Sequence, residues 1–292
     1  MTRTGDARPD SLTAMLPLVL AFGSGMGWGT ADFLGGVSAR RLPLVTVSLV
    51  SQAAGFAFLA LVVAVRGEGP AGTDALLIGL AGGLVGAGGL SALYRALAIG
   101  RMSVVAPTAA LSGTVPVAWG LLRGERPSAI QLVGVGVAIA GIMLAARSPD
   151  HAGERNTTGL GLALVAAITL GAFLVLLDEA GRSDPMWGTL MVRTGATSVL
   201  GVAFLVTRPS LRMGGADAGR LGLLGMLDNG ANLAFAYAAD AGGLLALTSV
   251  LGSLYPVTTV LLARSVLHER LARLQTIGVV AALAGVVLIA GG

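Results

Sequence analysis

Long apolar runs separated by short polar seams fill most of this chain. The runs cover residues 16–36, 44–65, 76–99, 104–122, 130–146, 160–180, 186–206, 221–239, 244–263 and 277–290. A helix needs about 20 predominantly apolar residues to cross the hydrocarbon core of a bilayer. The pattern therefore predicts an all-α polytopic membrane protein with ten transmembrane helices. The longest seam, residues 147–158, is too short to fold on its own. Whatever the protein does must be built from side chains inside the membrane.

Composition agrees. Hydrophobic residues make up 54% of the chain, charged residues 12%, and the mean hydropathy is +0.83. An ordinary soluble domain carries about 25% charged residues. Cysteine is absent, which excludes disulfides, thiolate metal sites and a cysteine nucleophile. Every basic residue is arginine, the net charge is +4 and the pI is 10.6. The arginines are scattered over the seams and form no basic face, so nucleic acid is not an expected partner. They read as headgroup anchors at helix ends. Arg3 and Arg8 precede an apolar run as in a signal peptide, but the run leads straight into further spans, so an uncleaved first helix is expected.

The chain repeats itself. Glu125, Gln131, Gly134, Ala138 and Gly141 recur as Glu269, Gln275, Gly278, Ala282 and Gly285, each 144 residues later. Tyr94 and Gly100 recur as Tyr237 and Gly243 at an offset of 143, and Gly29, Arg40 and Pro43 as Gly171, Arg182 and Pro185 at 142. Ordered matches that include Glu, Gln, Tyr and Pro mark two copies of one unit. Each copy holds five helices, and an odd number makes the second enter the membrane from the opposite side. Such inverted repeats are common in secondary transporters, whose site lies near the midplane between the halves. The expected organisation is a tail over residues 1–12, a first repeat over 13–146, a hinge-like linker over 147–158 and a second repeat over 159–292.

Glycine supplies 45 residues. In lipid, helices associate through close packing at small residues, and Gly23xxxGly27, Gly25xxxGly29, Gly79xxxGly83 and Gly82xxxGly86 offer such faces. The Gly-rich run from Gly23 to Gly29 lacks the spacing of a phosphate loop and reads as packing. Pro107 and Pro116 in the fourth run and Pro256 in the ninth predict kinks.

Charge at depth is costly and points to function. Arg193 lies well inside the seventh run, and Asp228 is similarly deep in the eighth, beside Asn229 and Asn232. Asp228 and Asn232 are four apart and share a helix face. The simplest arrangement pairs Arg193 with Asp228, either as a structural pair or as lining of a transport cavity. Asp32 and Arg95 lie nearer the ends of their runs. Gln52, Trp28, Tyr94, Trp119, Tyr237 and Tyr255 are secondary candidates. If protons drive transport, Asp32 is the better proton site, because Arg193 stands beside Asp228 as its charge partner; another coupling ion is the alternative. No HExxH, P-loop or other chemical motif is present, so no cofactor, metal or enzymatic activity is expected, and active transport would run on an ion or substrate gradient.

Several segments resemble one family. Trp28-Gly-Thr-Ala-Asp-Phe-Leu-Gly-Gly36 opens the first repeat; Tyr94-Arg-Ala-Leu-Ala-Ile-Gly100, Ser103-Val-Val-Ala-Pro107 and Gly124-Glu-Arg-Pro127 close it. Ser253-Leu-Tyr-Pro256 and His268-Glu-Arg-Leu271 stand in the second. Together they resemble the EamA-like transporters of the drug/metabolite transporter superfamily, although His268 replaces the glycine usual before Glu269. The resemblance implies two inverted five-helix repeats around a central cavity, a small metabolite, amino acid or drug as substrate, and a bacterial inner membrane as location. It implies a cavity lined by helices one, three, four, six, eight and nine, with Asp32, Asp228, Asn232 and Tyr255 on it and Arg193 more peripheral; Trp28 is added as a substrate-binding candidate from its place beside them on the first run. It also implies cytoplasmic termini. Charge argues the reverse, because fewer arginines fall on the side of the termini (Arg3, Arg8, Arg66, Arg123, Arg126 and Arg182) than on the other. A channel-like or scaffold protein, and less so a membrane-embedded enzyme, are the competing readings. Oligomeric state and substrate identity are not legible.

Overall fold

In the computed structural model, residues 11–39, 41–99, 108–145, 159–208, 210–266 and 272–291 are described. They form helices and connecting turns, with no strand among the described residues. The first repeat supplies α1 (Ser11–Ala39), α2 (Leu44–Arg66), α3 (Thr73–Ile99), a 3₁₀ segment (Ala110–Gly113) leading into α4 (Thr114–Leu122), and α5 (Ala129–Ala145). The second supplies α6 (Leu160–Ser183), α7 (Pro185–Thr207), α8 (Gly215–Asp240), α9 (Leu245–Gly252), α10 (Tyr255–Val266) and α11 (Arg273–Gly291). The linker over 147–158, Pro107 and Glu269 lie outside the described residues.

Among the described residues, five stretches are long and apolar enough to cross a bilayer: Val45–Arg66, Thr73–Leu93, Leu160–Ser183, Pro185–Thr207 and Leu245–Val266. The last contains α9 and α10 together. Leu111–Leu122, Ala129–Ala145 and Arg273–Ile289 are shorter apolar helices. α1 has the length, at 29 residues, and α8 has it too, at 26 residues, but α8 lacks the apolarity of the others. α8 is shielded by neighbours instead, since α1, α2, α6 and α7 all pack against it.

Local chemistry explains the helix limits. Asp184 accepts hydrogen bonds from the Met186 and Trp187 amides, each at 3.1 Å, and Pro185 takes the first position of α7, where no amide is needed. The Gln131/Gln275 match has the same kind of origin. Gln131 Oε1 accepts from the Ser128 amide at 2.9 Å, and Gln275 Oε1 accepts from the Ala272 amide at 3.0 Å. Both glutamines reach back over the first turn of the last helix in their repeat, as in a capping box.

The contacts are exchanged when the repeats are exchanged. α1 packs on α8 as α6 packs on α3, α2 on α8 as α7 on α3, and α2·α7 and α5·α11 cross between the halves. The α5·α11 seam shows the symmetry residue by residue. A β-carbon on Gly134 would lie 2.9 Å from the Gly285 carbonyl oxygen, and one on Gly141 would lie 2.7 Å from that of Gly278. Shifting the first pair by 144 produces the second with its members swapped. That is the signature of an isologous contact about a two-fold axis, and the two helices run antiparallel along it. Nothing larger than hydrogen fits at these positions, so the backbones touch.

The fourth and ninth apolar runs are both irregular, and at matching places. The 3₁₀ segment at 110–113 corresponds to the interruption at Ser253 and Leu254 between α9 and α10, within a residue of the 143–144 offset. Pro256, which lacks an amide, accounts for the second. The irregular segments meet: a β-carbon on Gly113 would lie 2.9 Å from Ser253 Oγ.

Candidate functional site

α1 and α8 run antiparallel, which places Trp28 opposite Asn232 and, one turn along, Asp32 near Asp228. Trp28 Nε1 donates to Asn232 Oδ1 at 2.9 Å. The indole also lies against Phe235, with ring centroids 5.7 Å apart and a 37° tilt. Asp32 and Asp228 are close enough to repel electrostatically. Asp32 likewise acts on the Tyr255 phenol, which shares a side-chain hydrogen bond with Ser112. Asp32 itself is exposed.

Arg193 lies at a buried junction of α7 with α2 and α8. Its side chain is 4% exposed. Nη2 donates to Asp228 Oδ2 at 2.8 Å, Nε to Asn229 Oδ1 at 2.7 Å, and Nη1 to Gln52 Oε1. Each nitrogen of the guanidinium thus has an acceptor, which is the condition for keeping such a group away from water. Asn229 is fixed in turn, because its Nδ2 donates to the Gly225 carbonyl at 2.7 Å. Gly55 makes this possible. A β-carbon there would collide with the Asn229 amide, so α2 can carry no side chain at that point.

Among the residues singled out from sequence, the structure brings Trp28, Asp32, Arg193, Asp228, Asn232 and Tyr255 into one connected region, with Gln52 and Asn229. The family resemblance alone would set Arg193 toward the periphery, but its contacts make it the hub of the cluster. Arg95 is exposed, Trp119 is 44% exposed, and the Tyr237 hydroxyl lies 3.5 Å from Arg66 Nη1 near a helix end. The side chain of Tyr94 lies outside the described residues.

A second polar cluster ties the repeats together at one end. Arg182 donates to Asp178 at 2.8 Å and to the Gly243 carbonyl at 2.7 Å. Glu125 accepts from the Leu245 and Ala246 amides at 2.6 and 2.8 Å, placing a carboxylate on the N-terminus of α9. Arg123 pairs with Glu179 at 2.6 Å. Sequence reading passed over Asp178, which is buried. Its signal was the Asp–Arg spacing of four near the end of an apolar run, which also fits a solvated helix end. No group of three or more potential metal ligands occurs among the described residues.

The comparisons with known proteins agree on fold and class. The whole molecule resembles a solved crystal structure of a protein, with a TM-score of 0.75 and 18% identity over 93% of this chain and 95% of that one. That likeness establishes a shared fold. Among proteins of curated function, none matches the sequence. The EamA-like transporter family matches twice, over residues 15–147 and 157–291, one match for each repeat and together nearly the whole chain. The chain belongs to the EamA-like transporter family, and so is a multi-pass membrane transporter of the drug/metabolite superfamily.

Proposed function

We propose that this protein is a gradient-driven carrier of a small polar solute, working by alternating access between two inverted repeats. On this reading all ten apolar runs span the membrane, the first repeat occupies 13–146 and the second 159–292, and the linker 147–158 joins them. The membrane is the bacterial inner membrane, with both termini cytoplasmic. The observation that carries the proposal is the polar cluster of Trp28, Asp32, Arg193, Asp228 and Asn232, held among apolar helices where both repeats meet. Buried charges of this kind mark solute and ion paths. The paired irregularities at 110–113 and 253–254 add support, because broken helices at matching positions of two repeats are where carriers place their sites. Asp228 and Asn232 position the solute, Tyr255 and Trp28 wall the site, and Asp32, which has no ion-pair partner among the described residues, takes up a coupling proton.

Counterflow tests this. Liposomes containing the purified protein are loaded with an unlabelled bacterial metabolite extract and bathed in a ¹³C-labelled extract of the same composition. Mass spectrometry should find at least one labelled solute accumulating inside, dependent on the internal load and reduced at least tenfold by Asp228→Asn. Entry that is independent of the internal load would identify a channel. No entry of any solute would remove the carrier reading.

A further inference from the structure

We propose that the solute bound between α1 and α8 is a monovalent organic cation, an alkyl- or arylammonium ion that pairs with Asp32 between the rings of Trp28 and Tyr255. The inference rests on the carrier reading above and names the substrate class of that same site.

Charge carries the argument first. The cluster holds two carboxylates, Asp32 and Asp228, and one guanidinium, Arg193. The guanidinium is already engaged with Asp228, Asn229 and Gln52. Among the described residues Asp32 has neither a hydrogen-bond nor an ion-pair partner, and it is exposed while Arg193 is buried. With Asp32 ionised, the region therefore carries one net negative charge, and that charge faces outward from the cluster. An anionic solute would meet Asp32 and Asp228 together. A zwitterion would bring a carboxylate that needs its own cation, and Arg193 has no free nitrogen to offer. A monovalent cation balances the region with no rearrangement of the Arg193 contacts.

The walls carry the argument second. Trp28 precedes Asp32 by four residues, so both project from one face of α1. The indole is held in place by Asn232 and Phe235. Tyr255 lies within electrostatic reach of Asp32 on another side, and its hydroxyl is tied to Ser112. Aromatic faces attract ammonium groups, most strongly where water is scarce. Acceptors for N–H groups lie beyond. The hydroxyls of Ser249 on α9 and of Ser253 just beyond its end are buried and have no hydrogen-bond partner among the described residues.

The test uses the full-length protein in detergent at fixed pH and ionic strength. Thermal unfolding and intrinsic tryptophan fluorescence are read against phenethylammonium, ethylammonium and tetraethylammonium chlorides. Controls are 2-phenylethanol, 3-phenylpropionate and sodium chloride. At least one ammonium ion should give a saturable rise in Tm and a tryptophan signal, and the alcohol, the carboxylate and sodium should not. Asp32→Asn should weaken that binding at least tenfold while unfolding at a similar temperature, and Asp32→Glu should restore it. The inference is overturned if no ammonium ion gives a saturable response. It is also overturned if phenylpropionate or sodium matches the ammonium ions, or if Asp32→Asn responds as the native protein does. Counterflow separates the two levels. Exchange of anionic or zwitterionic solutes alone would keep the carrier and remove the cation. Ammonium binding with no exchange would keep the cation site and remove the carrier.

Discussion

The contact between α1 and α8 and the contact between α6 and α3 are the same contact, made once in each direction by the two repeats, yet they differ in chemistry. In the first, Trp28 meets Asn232 and Asp32 faces Asp228. The offsets of 142 and 143 map Trp28 and Asp32 to Leu170 and Leu174, and Asp228, Asn229 and Asn232 to Val85, Gly86 and Gly89. In the second contact, a β-carbon on Gly86 would lie 2.9 Å from the Phe173 ring, and one on Gly89 would lie 3.1 Å from Leu170. At these positions the first interface carries polar side chains from both helices. The other is dry, with large side chains seated on glycine. The duplicated unit thus supplies the scaffold twice and the chemistry once. A two-fold arrangement can position a site near its axis, and on the carrier reading proposed above the residues that recognise a solute come from a single side.

If that division is real, damage to the two interfaces should differ in kind. The largest effect is expected at the hub. Arg193→Leu leaves Asp228 without its cation, and breaking one member of a buried pair costs roughly 3–5 kcal/mol. Thermal unfolding in detergent should show a large drop in Tm. The double variant Arg193→Leu/Asp228→Leu should recover much of it without recovering transport. A double variant as unstable as the single would mean that Asn229 and Gln52, rather than Asp228, set the cost.

Next comes a charge placed in the dry interface. Leu174→Asp puts a carboxylate at the position equivalent to Asp32, where the present residue is 7% exposed. An aspartate at the centre of a spanning helix costs about 3 kcal/mol. Expression and Tm should fall, and no second transport activity should appear. Normal stability in this variant would show that the α6·α3 side is also wetted.

Removing Glu125 should cost less. Glu125→Ala strips two charge-assisted hydrogen bonds from the start of α9, and a bond to a charged group is worth about 1.5–3 kcal/mol, less where water replaces it. The expected net loss is about 2 kcal/mol, read as Tm, together with faster cysteine labelling of a residue introduced at Ala246. Unchanged labelling would show that this end of the molecule does not open. The smallest effect is expected from Trp28→Phe, which keeps the ring and deletes the bond to Asn232. Stability should fall by about 1 kcal/mol, and solute affinity should fall more than that stability change implies. An effect on Tm alone would reduce Trp28 to packing.

Much of this was legible from residue order. The apolar runs led to the helices and the offset series to the repeat, while segments such as Trp28 to Gly36 carried the resemblance to the family. Arg193 and Asp228 stood out because charge inside an apolar run has few explanations. Pro256 announced the interruption before α10. What was not legible depended on packing between distant segments. Gln52 stood only as a secondary candidate and Asn229 only as a neighbour of Asp228 until three helices brought them onto one guanidinium. Gly55 looked like any other glycine, and only the Asn229 side chain across from it gives it a reason. The 3₁₀ segment at 110–113 has no proline within it and shows only in the folded chain.

The glycine seam between α5 and α11 also bears on how the chain is assembled. α5 is complete before any of the second repeat has been made, whereas α11 emerges only at the end of that repeat. During synthesis α5 must therefore wait in the bilayer with its partner missing. A face of Gly134, Ala138 and Gly141 can wait at little cost, because it presents no polar group to lipid and no hydrophobic surface to water. A polar face in the same place would seek other partners in the interval. Arg193 follows a different schedule, since Asp228 and Asn229 arrive on the next helix along. The Arg193–Asp228 contact thus closes within one helix of its synthesis, while the wait of α5 falls on a face that lipid does not penalise.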